Sequence, residues 1–182
     1  MDLFKNIVMV ILSPGEGWAD VNTKGIPTSR VLSGAFYPLL AVMAITAFVP
    51  MVYDHTITLE RSLMQAIVLF SSYFITYFAS NFLLAGFYPE LVKTKGAEAR
   101  LNDYLLYNLI FLVLLQIVKN VLPIDFTPIF FLMLFMPWIA FRGLEVLGIA
   151  KEKRITFLIF STLLLILTPL LIHYLLSMLI IH

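Results

Sequence analysis

The chain has 182 residues, 61% of them hydrophobic and 13% charged, with a net charge of +1 and no cysteine, and its mean hydropathy is +0.97. So much apolar surface exceeds what a soluble domain of this size buries; the composition points to a membrane protein and excludes a disordered chain or a disulfide scaffold. The small net charge leaves no electrostatic footprint for nucleic acid.

The first segment reads MDLFKNIVMVIL. Leu3, Phe4, Ile7, Val8 and Ile11 recur at helical spacing over a stretch too short to cross a bilayer, which predicts an interfacial helix on the cytoplasmic leaflet. A signal peptide is a poorer reading, because Asp2 accompanies Lys5 and no small-residue cleavage site follows. In Ser13-Pro14-Gly15-Glu16, Ser13 can cap a second short helix, Pro14 can take its first position and Glu16 can reach back to the Ser13 amide. That helix carries Trp18, expected at headgroup depth. The segment 1–32 is therefore read as a cytoplasmic interfacial amphipathic unit. It is either a membrane-surface anchor or a docking surface for a partner, with Pro14 and Trp18 as its candidate contacts.

A helix needs about 20 apolar residues to cross roughly 30 Å of hydrocarbon. Five runs qualify, at about 33–53, 62–87, 104–122, 128–147 and 155–181, separated by DHTITLER, YPELVKTKGAEARLND, PIDFT and GIAKEKR. Without period-two alternation they are helices and not barrel strands. The expected fold is all-α: a polytopic integral membrane protein of five transmembrane helices over 33–182. Lys5, Lys24, Arg30, Lys93, Lys95, Arg100, Arg142, Lys151, Lys153 and Arg154 fall on one side of this arrangement. Arg61 and Lys119 fall at or near the other. The positive-inside rule then places the amino terminus in the cytoplasm and the carboxyl terminus outside.

Pro38, Pro50, Pro137 and Pro169 are expected to kink or locally open their helices. Small residues, Ala41, Ala44 and Ala47 in the first run and Ser71, Ser72, Ala79, Ser80, Ala85 and Gly86 in the second, predict close packing of those two helices. Ionisable and amide side chains within spans are costly and hence candidate sites. With alternating directions Asn81, Asp103, Asn108, Arg142 and Glu145 gather in the cytoplasmic half, and Arg142 and Glu145, three apart, can form a local ion pair. They form either interhelical hydrogen bonds or a polar vestibule that holds a lipid headgroup, a solute or a partner segment. No acidic residue lies near a midplane, as a proton-coupled transporter would need. Phosphate-loop, zinc and nucleophile-elbow motifs are missing, and His55, His173 and His182 share no metal-ligand spacing, so no enzyme, cofactor or metal is expected.

Taken in order, the amphipathic start, SPGEGWADV, GAFYPLLAV, five spans and FRGLEVLGIAKEKR resemble the Yip-domain (Ypt-interacting protein) family, in the form of a compact bacterial member. Pro14 and Trp18 match its P-x-x-x-W segment, and Gly143, Leu144, Gly148 and Ile149 match a glycine-containing cytoplasmic turn before the fifth span. Eukaryotic relatives engage prenylated Rab-type GTPases. This chain has GAFYPLL where they carry Asp-Leu-Tyr-Gly-Pro, and it lacks their long cytosolic region. The resemblance implies an integral inner-membrane protein that contacts membrane lipids and a cytoplasmic or membrane protein partner, and it leaves room for a homo-oligomer. The expected function is a non-enzymatic scaffold or partner-recruiting protein. The alternative is a transporter or lipid-translocating protein using the vestibule.

Overall fold

A computed structural model describes residues 2–89, 96–122 and 131–180. Lys93, Lys95, Asp125, the PIDFT connection and the first residues of the predicted fourth span lie outside the described residues.

Among the described residues the fold is all-helical, with four helices long and apolar enough to cross a membrane. Two short helices come first, α1 (Asp2–Leu12) and α2 (Pro14–Lys24). They fold back on each other as a hairpin, and a Cβ on Gly17 would run into the backbone of Val10. The expected Ser13 cap does not form through its side chain. Instead the Ser13 carbonyl accepts from the Gly17 amide at 2.8 Å, while the Ser13 amide donates to the Met9 carbonyl, also at 2.8 Å. Pro14 takes the first helical position, where its missing N–H costs nothing. The apolar face predicted for α1 splits in two. Ile7 and Val10 turn inward together with the fully buried Asn6, while Phe4 (71% exposed) and Leu12 (75%) turn outward.

The first long helix, Thr28–Val52, is not regular. It comprises α3 (Thr28–Val31), a widened π turn at Leu32–Phe36, α4 (Tyr37–Thr46) and a tight 3-10 turn at Val49–Val52. Pro38 and Pro50 account for both departures, since each lacks an N–H and crowds the carbonyl four residues earlier. α5 (Leu59–Phe87) starts where the Thr58 hydroxyl accepts from the Arg61 amide at 3.2 Å. Just before it, the Thr56 hydroxyl and amide bind the Asp54 carboxylate and hold it below its ordinary pKa.

α6 (Ala97–Val121) is the central helix, buried at most positions from Leu101 to Val113. It begins seven residues before the predicted run because Ala97–Arg100, though polar, are good helix formers behind a left-handed Gly96. The described part of the predicted fourth span is α7 (Met136–Leu147), preceded by a turn at Leu134–Phe135. Pro137 sits at the head of α7 and sets this break. Twelve residues rise only about 18 Å, so α7 alone cannot cross. Gly148, at a φ of 67°, ends it. α8 (Arg154–Ile180) contains Pro169 and packs chiefly along α5.

Side-chain contacts fix the helix directions. Thr28 meets Asp103 at one end and Thr46 meets Asn120 at the other, so the first long helix runs parallel to α6. Tyr77 on Asn102 sets α5 antiparallel to α6, and Phe87 on Phe160 sets α5 antiparallel to α8. Leu122 therefore leaves α6 at one end of the bundle, while Val146 shares a cavity with Arg100 at the opposite end.

Of the small residues expected between the first two long helices, Ser72 and Ser80 are buried and Ala41 is exposed. The contact between these helices includes aromatic pairs, Phe36 against Tyr77 at 5.7 Å and Tyr37 against Phe74 at 6.2 Å.

Candidate functional site

α6 and α7 meet at Gly143, and that close approach organises the region where the sequence-derived candidates fall. A Cβ at Gly143 would lie 2.9 Å from Cε2 and Cζ2 of Trp18 and from Cδ2 of Tyr104. With no side chain there, the indole lies flat against α7. Its Nε1–H donates to the Ile139 carbonyl, one turn earlier, at 2.9 Å. Tyr104 stacks on the indole at 6.0 Å, and Tyr107 meets it edge-on at 5.6 Å. Trp18 is 1% exposed, so it offers no surface to headgroups or to a partner. It joins the amino-terminal hairpin to the bundle. Gly143, matched to a turn glycine in the sequence, lies inside α7, and Gly148 makes the turn.

Pro14 is buried at the hairpin turn. The hairpin is further tied by Lys24, whose Nζ donates to Asn6 Oδ1 at 3.2 Å and pairs with Asp20 at 2.6 Å. The five vestibule candidates do not converge. Asn81 donates to Asn102 Oδ1, which also accepts from the Tyr77 hydroxyl at 3.0 Å, knitting α5 to α6. Asn108 is buried in the core and donates back to the Tyr104 carbonyl at 2.8 Å, leaving its oxygen without a partner. Tyr104 shares a hydrogen bond of 2.9 Å with Ser161 of α8. Arg142 lies over the Trp138 ring, 4.7 Å from its centroid, and does not pair with the exposed Glu145. Beyond Asn108, the run Leu109–Val113 is buried and wholly apolar.

Asp103 stands apart. One carboxylate oxygen accepts from the Thr28 hydroxyl at 2.9 Å. It lines a cavity of about 210 Å³ together with Arg100, Asn22, Gly25, Thr28 and Val146. Arg100 Nε is shielded from solvent and has no hydrogen-bond partner.

No family model, curated protein or solved structure matches the chain.

Several structural residues escape sequence reasoning. Asn102, Asn6 and Gly17 act through partners on other helices, and nothing in local spacing announces them. At the far end of the bundle Asn120 donates to Thr46 Oγ1 at 3.0 Å and accepts from Gln116 at 2.9 Å, while Tyr53 donates to its carbonyl at 3.1 Å. This network closes the interrupted end of the first long helix. A run of polar side chains four residues apart, Gln116 and Asn120, is the only hint of it in the sequence.

Proposed function

We propose that this chain is a non-enzymatic integral protein of the inner (plasma) membrane, of the Yip-domain type, that serves as a scaffold recruiting partners through its cytoplasmic face. In this reading it crosses five times, with the amino terminus inside and the carboxyl terminus outside. Segment 128–147, broken before α7, makes the fourth crossing. The antiparallel alternation of the long helices supports this count, as does the return from Leu122 to Val146 at opposite ends.

The observation that carries the scaffold reading is the docked hairpin. Trp18, locked between α6 and α7, makes residues 2–27 a fixed part of the bundle end that also bears Arg142. Lys5, Arg30 and Lys151 are exposed on the same polar shell. Rigidly held, exposed lysine and arginine side chains at this end, set among Glu16, Glu98 and Glu145, suit anionic lipid surfaces and acidic protein segments. The apolar block Leu109–Val113 counts against transport, because α6 offers no polar side chain between Asn108 and Gln116.

Photo-crosslinkers placed at Lys5, Arg30 and Lys151 in native membranes test this function. A common protein adduct that disappears when the three charges are reversed is the expected result. Solute or lipid flux across proteoliposomes that Asn108→Leu abolishes would overturn it in favour of transport.

A further inference from the structure

We infer that the cavity beneath the Gly25–Thr28 connection is a binding site for a membrane lipid whose headgroup carries both a phosphate and a primary ammonium, such as phosphatidylethanolamine. Two opposite charges, Arg100 and Asp103, three residues apart on α6, line one cavity of about 210 Å³ without forming an ion pair. Such neighbours on one helical face ordinarily meet. Here Asp103 is turned to Thr28, which occupies one carboxylate oxygen at 2.9 Å, and Arg100 lines the same cavity with a guanidinium that no group among the described residues satisfies. An unsatisfied guanidinium N–H is expensive, and phosphate oxygens are the acceptors that match its fork geometry. The carboxylate oxygen not taken by Thr28 is free to accept from an ammonium.

A ligand carrying one of these charges would satisfy one wall of the cavity and leave the other unmet; a zwitterion of this order satisfies both. Position selects the lipid form. The cavity lies where the first long helix begins at Thr28 and where α6 begins, at the end of two membrane-length helices. That is headgroup depth in either orientation. Val146 and Ile26 supply an apolar margin where the headgroup joins its acyl chains. The site is independent of what the exposed basic side chains recruit.

The full chain in nanodiscs of phosphatidylcholine containing equal phosphatidylethanolamine and phosphatidylglycerol, examined by native mass spectrometry, is expected to retain phosphatidylethanolamine selectively. Arg100→Gln and Asp103→Asn should each lower that retention roughly tenfold, the loss of one charge-assisted hydrogen bond. Thr28→Val, which frees the carboxylate, should lower it less. Equal retention of phosphatidylglycerol, or retention unchanged in Asp103→Asn, would overturn the assignment. An arm without variants uses a carbodiimide on the unaltered chain in the same nanodiscs. A zero-length adduct between the lipid amine and Asp103, located by peptide mapping, is expected. Its absence while exposed carboxylates react would also overturn the assignment.

Discussion

Trp18 and Gly143 are a matched pair in which one residue supplies a large flat ring and the other supplies the absence of a side chain. The indole gains a hydrogen bond because the missing Cβ uncovers the Ile139 carbonyl. Trp18→Phe keeps a ring in the slot and loses that bond, which should cost about 1 kcal/mol. Trp18→Ala empties the slot and should cost about 3–5 kcal/mol. Gly143→Ala drives a methyl into both the indole and Tyr104, and overpacking of this kind costs about 1–3 kcal/mol. Because the two residues touch, Gly143→Ala combined with Trp18→Ala should destabilise by less than the sum of the single changes. Thermal unfolding of the four variants and the unaltered chain in one detergent checks the whole set, and strict additivity would contradict the contact. At this scale the sequence is a partial guide. It marks Pro14 and Trp18 as special, but an interfacial tryptophan and a buried one share the same local sequence. The glycine that decides between them is 125 positions away.

The helices are more legible than the residues that join them. Four of the five predicted runs coincide with long helices, with starts displaced by up to seven residues, because apolar length is a strong signal and lipid permits few alternatives. The fourth differs for a reason also written in the sequence, Pro137, whose effect on a helix start depends on what precedes it. The hairpin of α1 and α2 is the element that periodicity describes least well. Its apolar positions face two ways, half to the bundle and half outward, so a single amphipathic stripe is the wrong template. The hairpin depends on the crossing at Gly17. Gly17→Ala should pry α1 from α2, and hydrogen exchange of the amides in α1 should accelerate while those of α6 remain protected. Uniform acceleration throughout the bundle would show that the crossing is not a local feature.

At the scale of the molecule, the absence of cysteine makes topology directly measurable. Single substitutions His55→Cys and Lys151→Cys place one thiol on each side of the proposed bundle. In intact cells His55→Cys should react with a membrane-impermeant maleimide, and Lys151→Cys should react only after the membrane is opened. The reverse pattern would invert the orientation, and reaction of both from outside would remove a crossing. Charge bias in the sequence carries the orientation and apolar runs carry the number of crossings, whereas the arrangement of helices around α6 depends on long-range pairs such as Asn81 with Asn102 and Thr28 with Asp103. The hydrogen bond between Trp18 and Ile139 has a temporal consequence. Trp18 and Ile139 are 121 residues apart, so a ribosome has made the hairpin long before it makes the slot that receives it. Throughout that interval the indole stays undocked at the membrane. Its seating waits for α7, and a quality-control protease that cuts an undocked hairpin would be sensing whether synthesis has passed Gly143.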